Sequence, residues 1–146
     1  MAIILLTGFF LSLSAISAYG QWVFTYGGLG YDSANSIQQT QDGGYIMGGI
    51  DDSFGAGHND AWIIKLDPTG VVTWQKTYGG ANYDAAYIIQ QTQDQGYIVG
   101  GYSNSFGAGD RDAWLLKLDS GGVITWQKTY GGAGDDYVDS IQQTSD

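Results

Sequence analysis

Trp74-Gln75-Lys76-Thr77-Tyr78-Gly79-Gly80 returns unchanged as Trp126-Gln127-Lys128-Thr129-Tyr130-Gly131-Gly132, 52 residues further along (126 − 74). Tyr26-Gly27-Gly28 stands another 52 residues upstream (78 − 26). Laid over each other without a gap, 27–78 and 79–130 are identical at 35 of 52 positions, and 131–146 starts the unit again. A unit copied at a fixed period buries its apolar face against its neighbours, so an architecture of stacked copies follows.

The composition is that of a sheet protein. All 15 acidic residues are Asp, Gly contributes 24 residues, Pro 1, and aromatic residues 14%. Helix-favouring Glu is absent, while Asp and Gly favour turns and aromatic residues favour strands. One unit reads as four strands. The first runs over 34–40 and ends at Gln41-Asp42-Gly43-Gly44, a hairpin signal because a tight turn needs positive φ. The second covers 45–50, with Gly48 and Gly49 leaving room for a neighbouring backbone. A loop over 51–60 leads to a third strand, 61–66, whose apolar residues fall on both faces and predict burial on both. Asp67-Pro68-Thr69-Gly70 turns the chain into a fourth strand, 71–77.

Four antiparallel strands per 52 residues, in meander order, with one Trp in the third strand and one in the fourth, have the shape of a propeller blade. The predicted organisation is an all-β, incomplete β-propeller. Residues 21–28 are the last strand of a preceding blade, 34–77 and 86–129 are two blades, and 138–146 start another. Trp62, Trp74, Trp114 and Trp126 are the predicted structural wedges between sheets, each ring able to bury roughly 150–250 Å². A solenoid is the main alternative. A closed propeller takes about four to eight blades. Further blades are therefore expected, either from a longer chain or from oligomerisation.

The chain opens with an apolar run over 1–13 followed by small residues up to Gly20, which reads as a signal peptide over 1–20, with Gln21 as the mature N-terminus and cuts after Ser17 or Ala18 as alternatives. The run is shorter than the roughly 20 residues of a membrane span. The expected location is secreted or cell surface, with no membrane span in the mature chain. Cysteine is absent, so no disulfide contributes. The net charge of −10 repels nucleic acid and other polyanions, which excludes them as partners and favours cations as guests.

The run Trp-Gln-Lys-Thr-Tyr-Gly-Gly, Ile-Gln-Gln-Thr, Asp-Gly-Gly-Tyr-Ile, Ser-Phe-Gly-Ala-Gly, Asp-Ala-Trp, Lys-Leu-Asp resembles the repeats of secreted bacterial and archaeal proteins called seven-bladed beta-propeller repeats. The resemblance covers the whole mature chain. The Leu66-Asp67, Gly70, Trp74 turn is also similar to the tryptophan-docking turn of pyrroloquinoline-quinone-type propellers, with one residue fewer between Asp and Gly. What the first resemblance implies is an extracellular or cell-surface scaffold, often part of a longer protein, with no chemistry common to the family.

In a propeller, the loop between second and third strands and the link between blades emerge on one side of the ring. That side collects 26–32, 51–60, 78–84 and 103–112. The copies differ there, and variable loops on a repeated frame make a recognition surface. Asp51, Asp52, His58, Asn59, Asn104, Asp110 and Arg111 are the candidate binding-face residues, for a protein or carbohydrate ligand. Asp32, Asp60, Asp84 and Asp112 recur beside Gly-rich loops. They are candidates for a weak calcium site, to which Asp51, Asp52, Asp110, Asp135 and Asp136 add possible ligands. Turn closure by bonds to backbone amides is the reading their spacing favours. A glycosidase would use two carboxylates flanking the scissile bond, but the same Asp falls in every unit, as a structural residue would. His58 is the only histidine and becomes Asp110 in the other copy, so no triad or zinc site follows. The expectation is a non-catalytic binding or display scaffold without a cofactor. Tyr31, Tyr83, Tyr87 and Tyr102 would be sugar-stacking platforms if exposed and core if buried.

Overall fold

The computed structural model describes residues 23–144. The predicted signal peptide, Gln21 and Trp22, and the last two residues lie outside them. Eight strands form two four-stranded antiparallel sheets, each a simple meander, and no helix occurs among the described residues. The first sheet contains β1 (Ser33–Gln39), β2 (Tyr45–Asp51), β3 (Asp60–Leu66) and β4 (Val72–Tyr78). The second contains β5 (Asp84–Gln91), β6 (Tyr97–Ser103), β7 (Asp112–Leu118) and β8 (Ile124–Tyr130). The two sheets do not close on each other, and β1, β4, β5 and β8 are edge strands.

Each turn is closed by an Asp that takes the amides the sheet leaves unpaired. Asp42 Oδ1 accepts from Gly44 N at 3.0 Å and Thr40 Oγ1 at 2.5 Å, while Thr40 N donates to Gly44 O at 2.9 Å. Asp67 Oδ1 accepts from Thr69 N at 2.8 Å and Val71 N at 3.0 Å; Asp119 does the same for Gly121 and Val123 in the second copy. The β1–β2 turn needs a left-handed residue, which Gly43 supplies at φ 82°. The second copy puts Gln95 there at φ 65°, so a side chain occupies a conformation that costs about 1–2 kcal/mol outside glycine. Gln95→Gly should therefore raise the urea midpoint by an amount equivalent to about 1 kcal/mol; an unchanged midpoint would remove strain at this turn from the account.

A bulge interrupts β1 between Ala34 and Ser36 and β5 between Ala86 and Ile88. The bulged residues are Asn35 and Tyr87. Asn35 Nδ2 reaches across to Ala86 O at 2.9 Å, tying the two bulges together. Opposite each bulge sits a glycine. A Cβ on Gly49 would overlap the Ser33 carbonyl, and one on Gly101 the Ala85 carbonyl, so the close pairing there admits no side chain.

The sheets pack face to face. Ile46, Ala61, Ile63 and Tyr78 of the first meet Ala86, Ile89, Tyr97, Val99, Trp114, Leu116 and Leu118 of the second in one buried cluster. Trp62, Ile64 and Leu66 face the opposite way, against Tyr26, Tyr45 and Met47. Thus β3 is buried at all seven positions, as apolar residues on both its faces predict, whereas β7 alternates between buried and half-buried. The junction chemistry repeats with the period of the sequence. Tyr26 OH donates to Gly70 O at 2.7 Å, and Tyr78 OH to Gly122 O at 2.6 Å. The Gln-Gln pairs form a second ladder: Gln91 N donates to Gln38 Oε1 at 2.7 Å and Gln143 N to Gln90 Oε1 at 3.2 Å. Gln41 N and Gln93 N donate in turn to Gln91 Oε1 and Gln143 Oε1.

Several expectations need correction. Asp51 and Asp60 lie not in the loop but at the ends of β2 and β3, paired directly with each other, and the fourth strand extends to Tyr78. Residues 23–28 and 138–144 form no strand. Trp62 and Trp114 are buried and Trp74 half-buried, but Trp126 is 41% exposed. Trp126 has the repeat position of Trp74, whose ring meets Tyr97 of the next sheet edge-on at 6.0 Å; no following sheet covers Trp126.

Candidate functional site

The predicted face is the end of the sheets where β2 and β4 finish and β3 and β5 begin. Backbone bonds hold its loops together: Asp84 N donates to Asn59 O at 2.8 Å, Asn104 N to Tyr83 O at 2.9 Å and Asp136 N to Arg111 O at 2.6 Å. The loop following one sheet's second strand and the link into the next sheet therefore share an edge.

The recurring aspartates at this edge turn inward and cap backbone amides. Asp32 accepts from Gly28 N at 2.7 Å, Ser53 Oγ at 2.9 Å and Asp52 N at 3.2 Å. Asp84 accepts from Gly80 N at 2.8 Å and Ser105 Oγ at 2.6 Å, and also from Ser103 Oγ. Asp112 accepts from Ala108 N at 2.8 Å and Asp136 from Gly132 N at 3.1 Å. Asp51, Asp60, Asp84 and Asp112 are all at most 2% exposed. Among the described residues, no group of three or more acidic or histidine side chains is arranged to hold a metal ion.

Comparing the copies explains one of these acids. Ser103 Oγ accepts from Ser105 N and Phe106 N, both at 3.0 Å, and donates its proton to Asp84. Asp51 occupies the same repeat position. Its Oδ2 accepts from Phe54 N at 2.7 Å and Gly55 N at 3.0 Å, but its Oδ1 is buried without a partner. An ionised carboxylate cannot make the donation that serine makes; only in its protonated form can Asp51 give such a bond, and Asp32 is the acceptor it faces. Burial, and then the Asp32 carboxyl, push Asp51 above the ordinary carboxylate range against the Phe54 and Gly55 amides. For Asp32, burial acts upward but is outweighed by bonds from Gly28, Ser53, Asp51 and Asp52, which hold it low. Asp60, with Oδ2 unpartnered, is pushed up to about 6 by burial and then by the Asp84 and Asp51 charges, against the Ala56 amide.

The remaining candidates divide into exposed and engaged groups. His58 lies exposed and stacked on Tyr83, centroids 4.7 Å apart and planes within 6°. Asp52 and Asp110 are exposed, Asn59 and Asn104 half-buried. Arg111 lies over the rings of Tyr102 at 4.8 Å and Tyr137 at 5.8 Å, and Nη1 donates to Tyr137 OH at 2.9 Å. This Arg–Tyr cluster, joined by Tyr87, escaped the sequence reading because Tyr137 lies in the link after the second repeat. Of the tyrosines singled out for stacking, Tyr31 and Tyr83 are exposed, Tyr87 is half-buried and Tyr102 is buried.

A second concave region lies at the opposite end of the sheets. Between the β1–β2 and β3–β4 turns of the first sheet and the corresponding turns of the second, a cleft of about 610 Å³ opens beside Trp74 and Tyr97. At its base Lys65, 6% exposed, donates to Asp42 Oδ2 at 2.8 Å and to Leu66 O at 2.9 Å. Lys65, and then Thr40, hold Asp42 down to about 2. Apart from Trp74, expected as a wedge between sheets, no candidate residue came from this end, because the rest of its sequence reads as turn chemistry.

No helix among the described residues is long and apolar enough to cross a membrane. No protein-family model matches the chain, and no curated protein matches it.

Proposed function

We propose that this chain is an exported repeat segment of β-propeller type, working as a non-catalytic binding or display scaffold at or beyond the cell surface. The observation that supports this reading is the recurrence of the same junction at two successive steps, Tyr26 to Gly70 and Tyr78 to Gly122. A contact repeated with the period of the sequence is one that further copies can continue. Trp126 and Tyr130, 41% and 54% exposed, occupy the places from which Trp74 and Tyr78 grip the next sheet. Additional sheets of the same repeat, from a longer chain or from assembly of chains, would cover them. Asp32, Asp84, Asp112 and Asp136 at the loop edge accept from backbone amides, and Asp51 and Asp60, with an oxygen each unpartnered, are at most 1% exposed and so closed to a substrate, which favours a scaffold over a glycosidase.

The experiment is electron microscopy of the protein recovered from the culture medium, combined with assays on a panel of chromogenic glycosides. Disc-shaped particles without turnover are the expected result. An extended rod would favour a solenoid, retention inside the cell would remove the proposed location, and glycoside hydrolysis would overturn the scaffold reading.

A further inference from the structure

We propose that the cleft between the hairpin-turn ends of the two sheets binds neutral carbohydrate, with the Trp74 ring as its stacking platform. The proposal deepens the binding-scaffold reading and rests on it only in taking the chain to hold its ligand rather than convert it. Closure of a ring is not required.

The volume of about 610 Å³ lies within the range of small-molecule sites, and the walls come from both sheets. The lining selects the ligand class. Trp74, half-buried and meeting Tyr97 edge-on at 6.0 Å and 65°, joins Pro68 as the apolar part of a cleft whose other walls are Lys65 and amide, hydroxyl and carboxylate side chains. An apolar face surrounded by donors and acceptors suits a pyranose, whose C–H faces pack on aromatic rings while its hydroxyls both give and accept hydrogen bonds.

The polar groups are held in place by the fold. Asp67 Oδ1 is fixed by the Thr69 and Val71 amides, and Oδ2 takes part in neither bond, which leaves an acceptor on a rigid turn. Gln91 Oε1 accepts from Gln41 N at 2.8 Å, which orients the side chain and leaves Nε2 as a donor. Charge excludes acidic ligands. The one cation, Lys65, is already engaged by Asp42 and the Leu66 carbonyl, and Asp67 leaves the cleft with an excess negative charge that would repel phosphate or a uronic acid.

The test is an NMR titration of the exported protein that follows the indole N–H of Trp74. The probes are glucose, galactose, mannose, N-acetylglucosamine and cellobiose, with glucuronate as the anionic control. Saturable shifts at Trp74 with at least one neutral sugar are expected, with a dissociation constant of about 1 mM or tighter, and none with glucuronate. Asp67→Asn keeps the turn-closing Oδ1, and Gln91→Glu keeps the Oε1 acceptor; each should weaken binding at least about tenfold without altering the amide spectrum elsewhere. The proposal is overturned if no neutral sugar moves Trp74, if shifts fall equally on the exposed Trp126, or if both variants bind like the parent. Failure of the scaffold reading would show separately, as a non-disc particle or as sugar turnover, with the Trp74 titration unaffected.

Discussion

Trp114→Ala is expected to cost about 3–5 kcal/mol, as truncation of a fully packed aromatic residue does. Trp114 is 2% exposed and belongs to the cluster that spans both sheets. The Phe106 ring tilts onto it at a centroid distance of 5.6 Å. A domain of this size has only about 5–15 kcal/mol of stability in total, so the variant should show a sharply lowered urea midpoint or fail to fold. Trp126→Ala removes the same atoms from a ring that is 41% exposed and uncovered on one side, and should cost less than about 1 kcal/mol. Comparable losses at Trp114 and Trp126 would mean that the packing between the sheets does not carry the stability assigned to it.

The same contrast separates what residues close in sequence decide from what the packing of sheets decides. The 52-residue period, the strand count and the turn chemistry were legible because each depends on residues close together: Asp42-Gly43 and Asp67 to Gly70 close their turns with their own side chains. The propeller ring is a step further, and remains the proposed assembly of sheets that are open in this structure. What escaped was set between sheets. Asp reads as a loop residue by propensity, yet Asp51 and Asp60 are buried, Asp51 capped by the Phe54 and Gly55 amides and Asp60 lying against Gly55 and Gly79. One signal was present: Asp51 is exchanged for Ser103 between otherwise similar copies. Such an exchange keeps hydrogen-bonding capacity while discarding charge, as suits a buried bonded site better than a solvated loop. The Trp74 cleft left no such trace, since it exists only where two turn regions from different repeats face each other.

Asp60→Asn is expected to stabilise the protein at neutral pH and to flatten its pH dependence between about 4 and 6. The Asp60 carboxyl rises from 3.8 to about 6 on folding, chiefly through burial and then through Asp84 and Asp51. Its folded form therefore holds the proton more tightly than its unfolded form. The associated stability is fully present below 3.8 and is lost as the pH climbs through about 6. A rise of about two units corresponds to roughly 3 kcal/mol. Asp42, held down to about 2 by Lys65, works in the opposite sense: its contribution is present above 3.8 and disappears as the pH falls toward 2. Stability should consequently be greatest near pH 4 and decline on both sides. Asparagine at position 60 can keep an oxygen for the Ala56 amide and present an N–H toward Asp84 without ionising, so it removes the neutral-side loss and leaves the acid-side loss in place. Urea midpoints from pH 3 to 8 decide the matter. Parallel curves for parent and variant would show that Asp60 is not the group that titrates, whereas curves that converge below about pH 4 and separate by about 1–3 kcal/mol at pH 7.5 would identify it.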